Sequence, residues 1–388
     1  MPLVNMNDML KHAYDNHYAI GAFDLVSLDF LQGIMQAAEE LQAPVILSLA
    51  ESHFEYFDFE LLMPAVEVAA KRASIPVAIH FDHGHGFASA VKSINLGCNS
   101  IMIDSSNVAL DKNIELTKDV VTMAHSCGVP VEGELGYVPG VEGEDAEHHP
   151  GEIRYTTVEE AEIYVKKTNI DYLAVSIGTV HGRMQGTPDL NFERLQQINE
   201  KLEIPLVIHG GTGLDDKQFK ELIKNGVAKI NYYTALSDAA SKTIKGNTEG
   251  SSYTDHVRGI DKSIAKEVRR CIKLWGSDGR ADEILACCEP WQSVEHLIIY
   301  NVQGLDRKST KEMIAEGHKI LSSIPGVRKI FVGEAVKKDD AYQYTWLVHF
   351  CHSAVIDSYR NHPDHVAFAN NLFRPVAGNR VSIDYLEL

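Results

Sequence analysis

The sequence predicts an α/β chain in which a TIM (β/α)8 barrel is followed by a smaller α+β unit. Three observations carry that prediction. Short apolar runs alternate with amphipathic segments eight times before residue 275, and such alternation implies parallel pairing through right-handed crossovers. Eight units in about 250 residues is the count and size of a TIM barrel. Beyond residue 295 the pattern changes to strands separated by fewer helices. The competing architecture, a doubly wound open sheet, would call for a Gly-rich dinucleotide turn after the first strand, which is missing.

The strands expected in order are "YAIGAF" (18–23), "PVILSL" (44–49), "PVAIHF" (76–81), "SIMID" (100–104) and "PVEGEL" (130–135), then "DYLAVSI" (171–177), "PLVIHG" (205–210) and "AKINYY" (228–233). Between them, "SLDFLQGIMQAAEEL" (27–41) and "NIELTKDVVTMAHSCG" (113–128) space apolar residues at helical intervals, the second ending at Gly128. "GSDGRADEILACCEPWQSVE" (276–295) mixes Gly, Ser, Asp and Pro and reads as a linker. The division expected is a barrel over 1–280, a linker over 281–293 and a second domain over 294–388. In that domain "EHLIIYNV", "RKIFVGEA", "YTWLVHF" and "NRVSIDYLEL" are the strands, with helices near 308–321 and 353–371.

A formal net charge of −18 argues against a nucleic-acid partner, because phosphate backbones demand clustered Lys and Arg. A hydrophobic content of 45% with 23% charged residues fits a globular protein with an ample core. No run approaches the ~20 apolar residues of a membrane helix, and the N-terminus lacks the basic and apolar blocks of a signal peptide. Six scattered cysteines are too few for a disulfide scaffold. The cytoplasm is the compartment expected, with no membrane partner.

A barrel places reactive residues at the C-terminal ends of its strands. Asp82 and His83 follow the third strand, Asp104 ends the fourth and Glu134 the fifth. His181 lies past the sixth, His209 ends the seventh and Asn231 the eighth. Singly, each histidine reads best as a hydrogen-bonded loop or core residue. Jointly, three imidazoles from separate strand ends suit tetrahedral Zn²⁺ with one position open. In "IHFDHGHGF" (79–87) His83 is the preferred ligand, with His80 and His85 as bystanders. "HGGTG" (209–213) lets backbone N–H groups approach a phosphate beside the helix beginning near Asp215, and Asn231 and Thr234 add donors at that rim. The acidic loop 136–155 reads either as a lid carrying a carboxylate such as Glu142 or as a solvated excursion.

"HFDHG" (80–84), "VEGELGYVPGVE" (131–142), "GTVHG" (178–182), "HGGTG" (209–213) and "KINYYT" (229–234) together resemble the class II, zinc-dependent ketose-bisphosphate aldolases. The resemblance spans about residues 1–285. It implies zinc on His83, His181 and His209, with Glu134 as an additional or alternate ligand. It implies that Asp82 handles the proton on the aldehyde-derived oxygen and Glu142 the proton at carbon. Gly182, Gly210, Gly211, Thr212, Asn231 and Thr234 would hold a dihydroxyacetone phosphate unit, with a monovalent cation (Na⁺ or K⁺) near its phosphate.

Four positions depart from the family pattern. Asp24 stands where Asn is common, Pro139 replaces a glycine, Thr212 replaces Ser, and Gln185 occupies a place where Lys is frequent. An added negative charge and a lost lysine argue for a substrate other than fructose 1,6-bisphosphate. A non-catalytic sugar-phosphate sensor, or a zinc-dependent epimerase or lyase, are the alternatives to the aldolase.

Residues 294–388 resemble the stress-responsive dimeric α/β-barrel domain, a ferredoxin-like unit, through "IPGVRKIFVGE", "YRNHPDHVAF" and the closing "VSIDYLEL". That resemblance implies a homo-oligomer, and the six histidines of this segment read as structural.

Overall fold

The computed structural model describes residues 2–141, 143–145, 152–183, 186, 188–250 and 252–386, with residue 55 as backbone alone. Eight parallel strands close into a barrel in chain order: β1 (Ile20–Asp24), β2 (Val45–Ala50), β3 (Val77–Gly84), β4 (Ser100–Ile103), β5 (Val131–Leu135), β6 (Tyr172–Val175), β7 (Leu206–Ile208) and β8 (Val227–Tyr232). Each lies within two or three residues of its predicted run. The expected helix over 27–41 is Leu28–Glu40, started by the Ser27 side chain accepting from the Phe30 amide. The second expected helix begins three residues early, at Leu110. No helix among the described residues is long and apolar enough to cross a membrane.

Period two along each strand sorts the barrel interior into layers. Toward one end Ala22, Ile46, Ala78, Met102, Ala174 and Val207 form one apolar cluster with Met6, Met9 and Leu10 of the helix Met6–Asp15. The Leu3–Val77 bridge, at the first residue of β3, places that cluster at the N-terminal ends of the strands. Further along, the same faces turn polar: His80 and Asp82 on β3, Glu132 and Glu134 on β5, Lys229 and Asn231 on β8. All six are buried.

Their charges are matched across the barrel. Lys229 Nζ donates to Glu132 Oε2 at 2.7 Å and to Asn231 Oδ1 at 2.7 Å. Burial pushes the Glu132 carboxyl up, but Lys229 and the His209 hydrogen bond outweigh it and bring it down to about 2 from 4.5. A carboxyl lowered on folding stabilises the protein above its unfolded titration near pH 4.5, and that contribution disappears as the pH falls toward 2. Lys229→Met strands Glu132 in the interior, an expected loss of about 3–5 kcal/mol at neutral pH. Urea unfolding followed by barrel circular dichroism reads it; a loss below about 1 kcal/mol would show that the pair is not the buried charge balance described.

The stretch expected as a linker is partly structured. Ala281–Cys287 is a helix whose Ala281 and Ile284 are buried, and Ile284 joins the apolar cluster at the barrel end. The Asn5 amide donates to the Glu289 carbonyl, so ordered barrel structure extends to that residue. Leu285 packs against the same cluster, and the flanking Gly, Asp and Pro masked this short inward-facing stretch.

The chain divides into two compact units, the second centred on the residues from Trp291 onward. There an antiparallel sheet has the order β10 (Val327–Glu334), β11 (Tyr344–Phe350), β9 (Val294–Val302), β12 (Ala377–Leu386). The helices Arg307–Leu321, Val355–Asn361 and Pro363–Phe368 accompany it, the α+β arrangement expected.

Candidate active site

His83, His181 and His209 meet at the C-terminal mouth of the barrel, with ring centroids 4.6–5.8 Å apart. One nitrogen of each lies within 4.8 Å of the others. The remaining nitrogens have fixed partners. His83 Nδ1 lies 3.0 Å from Asp104 Oδ2, His209 Nε2 lies 2.9 Å from Glu132 Oε1, and His181 Nδ1 lies 3.2 Å from the Val138 carbonyl. Because a carboxylate or carbonyl only accepts, each of these nitrogens carries the proton. That leaves the lone pairs on His83 Nε2, His181 Nε2 and His209 Nδ1, which are buried and without a hydrogen-bond partner. Three inward lone pairs with their rings oriented from behind are what a zinc ion requires. The donor set fits the metal.

The electrostatics divide the three rings: two are held neutral, while His83 offers its Nε2 lone pair once a cation takes the place of its proton. Burial lowers His181 to about 3, helped by the neighbouring imidazoles, so this ring is neutral. Burial also lowers His209. At His83 burial acts downward too, but Asp82 and Asp104 overcome it and raise the ring well above its ordinary value. The site therefore has a position that the surrounding carboxylates make attractive to positive charge.

How His83 comes to face inward is a matter of backbone. Adjacent strand residues point to opposite faces, yet Asp82 and His83 both serve the mouth. The β3–β4 register shifts between Phe81 and Gly84, and His83 takes φ +48°. This bulge turns His83 inward without displacing Asp82; a left-handed residue of this kind costs roughly 1–2 kcal/mol.

Asp82 is held from two sides. Asn231 Nδ2 donates to both of its oxygens at 3.0 Å, and the Lys229 ammonium on Asn231 Oδ1 sets that amide's orientation. Burial pushes the Asp82 carboxyl up, but His83, His80, His209 and Lys229 carry it well below the usual carboxylate range. His80, expected as a bystander, is fully buried with Nδ1 at 3.0 Å from Ser100 Oγ and Nε2 within 3.7 Å of both Asp82 and Glu132. His85 is exposed. Glu134 Oε2 is buried beside Asp104 without a hydrogen-bond partner, and burial first, then Asp104, raises its carboxyl well above the ordinary value. It shares a second ligand cluster with His83 and Asp104.

The residues expected on the phosphate side stand around two helix N-termini. Asp215 caps the helix Asp216–Lys224, accepting from the Lys217 and Gln218 amides at 2.8 Å, so two of that terminus's free amides are already taken. The helix Thr234–Gly246 has no side-chain cap, and its Ala235 amide donates to Thr212 Oγ1 at 3.3 Å. Thr234 Oγ1 accepts from the Gly143 amide at 3.1 Å. Gly210 has φ +70°, and a Cβ there would lie 2.2 Å from the Val180 carbonyl; at Gly182 it would lie 2.4 Å from that of Glu144. Gly211 is in closer reach of the Asn231 carbonyl than a side chain comfortably allows.

Glu142 and Gln185 lie outside the described residues. The flanking loop is anchored: the His181 amide donates to the Pro139 carbonyl at 2.7 Å, and Arg183 bonds to the Gly143 carbonyl and to Asp238. Sequence reasoning assigned no role to Glu132, which orients His209. The available signal was period two: in "VEGEL", Glu132 must share a face with Glu134.

Both parts of the chain match known protein families. Residues 4–280 match the family described as fructose-bisphosphate aldolase class-II, and residues 294–387 the stress responsive A/B barrel domain. A fructose-bisphosphate aldolase of Staphylococcus epidermidis is 37% identical over 288 residues, spanning 72% of this chain and all of its own. One from Staphylococcus aureus strain COL is 38% identical with the same coverage. Among solved structures, the YdjI aldolase of Escherichia coli K12 is 34% identical with TM-score 0.66, covering 72% of this chain and 99% of that one.

Proposed function

Because this chain belongs to the class II fructose-bisphosphate aldolase family and carries a stress responsive A/B barrel domain after its barrel, we propose that it is a zinc-dependent aldolase. It reversibly cleaves a ketose phosphate to dihydroxyacetone phosphate and an aldehyde. The observation that carries this reading is the convergence of three partnerless imidazole nitrogens beside the ionised Asp82. His83, His181 and His209 would hold the ion, with Glu134 as a further or alternate ligand. Zinc bound there supplies Lewis-acid polarisation of substrate oxygens, worth several kcal/mol.

The chain's own residues supply the proton transfers. Asp82, ionised and held by Asn231, takes the hydroxyl proton as the carbon–carbon bond breaks and returns it in the reverse direction. Glu142 delivers the proton to carbon. Gly210, Gly211 and Gly182 keep the backbone close to the phosphate, and Thr212 and Thr234 place hydroxyls at the same rim. A monovalent cation, Na⁺ or K⁺, would neutralise part of the phosphate charge.

The substrate is proposed to differ from fructose 1,6-bisphosphate, since Asp24 places a buried carboxylate at the end of β1 and Gln185 replaces a cation. A ketose-phosphate panel, assayed for chelator-sensitive release of dihydroxyacetone phosphate, tests both claims. Failure to cleave any sugar that binds would favour a sensor, and best turnover on fructose 1,6-bisphosphate would overturn the specificity. The cytoplasm remains the proposed compartment.

The second domain would assemble the enzyme. One face of its sheet exposes Phe331, Val381, Ile383 and Tyr385, each 37–55% accessible, and an apolar surface of this kind marks an interface. Ile383→Glu is expected to convert a homo-oligomer to monomers by sedimentation velocity; an unchanged sedimentation coefficient would reject this face.

A further inference from the structure

The opposite face of the same sheet borders a cavity of about 380 Å³. Its floor is aromatic: Trp346 and Phe350 from β11, with Tyr359 and Phe368 from the short helices above, are all at least 96% buried. Its rim is polar for a structural reason. On the edge strand β12, residues 379–386 are exposed, so the inward-facing positions there carry Arg380, Ser382 and Asp384 rather than apolar side chains. Registers place Ser382 beside Ile298, which in turn faces Trp346, and Asp384 beside His296, so polar rim and apolar floor are parts of one surface.

Protein interiors rarely leave voids larger than a few waters, and this one is within the roughly 300–1,000 Å³ typical of small-molecule sites. Three guanidinium groups line it, those of Arg360, Arg374 and Arg380. Against them stands one carboxylate, Asp384, whose Oδ1 is 2.6 Å from His296 Nδ1. Arg360 pairs with Asp357, and Arg374 donates to Asn370. The Arg380 guanidinium has no hydrogen-bond or ion-pair partner among the described residues. A local excess of cations is notable in a chain of net charge −18.

We infer that this cavity is a binding site for a small planar aromatic compound bearing one carboxylate. The ring enters the aromatic floor and the carboxylate meets Arg380, whose planar fork suits bidentate recognition. The site lies wholly within the second domain and does not depend on the aldolase reading.

The test uses the full-length protein and 2-naphthoate as probe, followed by titration calorimetry. The neutral isostere 2-naphthamide is the ligand control. Arg380→Glu reverses the charge at the mouth, and Ser382→Trp fills it; both positions are exposed, so the fold is expected to survive, as far-ultraviolet circular dichroism would check. The expected result is saturable binding of 2-naphthoate at one site per chain. It weakens at least about tenfold (~1.4 kcal/mol) for the amide and for Arg380→Glu, and is lost in Ser382→Trp. His181→Ala binds the probe as the parent does, which separates this site from the barrel mouth. Absence of saturable binding, equal affinity for the amide, or indifference to both folded rim variants would each overturn the inference.

Discussion

His181→Ala is expected to yield a folded protein that no longer retains zinc and has lost at least about 10³-fold in kcat/KM, equivalent to ~4 kcal/mol. This histidine is the informative one to remove. His83 also bonds to Asp104, and His209 to Glu132 within the buried charge network, so their loss would disturb stability and chemistry together. The second nitrogen of His181 meets only the Val138 carbonyl, and its ring is neutral. Metal content by plasma mass spectrometry and turnover on the best sugar of the panel read the outcome. Full activity in a zinc-free variant would remove the metal from the reading.

Asp82→Asn separates proton transfer from metal binding. The substitution preserves shape and keeps one oxygen to accept from Asn231 Nδ2, at the cost of the second of the two bonds that amide makes. What disappears is a carboxylate that four cationic or hydrogen-bonding neighbours keep ionised. Zinc content and KM are expected to stay close to the parent values, while kcat falls by about 10²–10⁴-fold, the usual contribution of a positioned acid–base group. An unchanged kcat would move the hydroxyl proton to another residue. A parallel loss of zinc would instead make Asp82 a support for the metal.

These two variants probe residues that differ in how readily they could be found from sequence. His83, His181 and His209 stand at the ends of apolar runs, and a parallel barrel gathers strand ends whatever their separation in the chain. Counting strands was therefore sufficient to bring together residues 126 positions apart. Glu132 escaped notice because it sits inside a run, where a carboxylate is costly unless matched, and its match, Lys229, is 97 residues away. How the helix termini near the glycine-rich turn are occupied was not legible in the sequence, for a local reason. A glycine-rich turn before a helix suggests an open N-terminus; Asp215 caps the Asp216–Lys224 terminus with its own carboxylate, while in the next helix the N-cap Tyr233 gives no side-chain cap and the Ala235 amide turns to Thr212.

The sequence by itself determined the barrel, its strand order and the three imidazoles at its mouth, because period, spacing and strand ends are properties of the linear chain. Tertiary structure alone decided which nitrogen of each ring is free, since a tautomer follows from the partner behind it. It also decided that Asp82 and His83 serve one site. Strand alternation sends adjacent side chains apart, and only the register shift against β4, with His83 at φ +48°, turns both toward the same point.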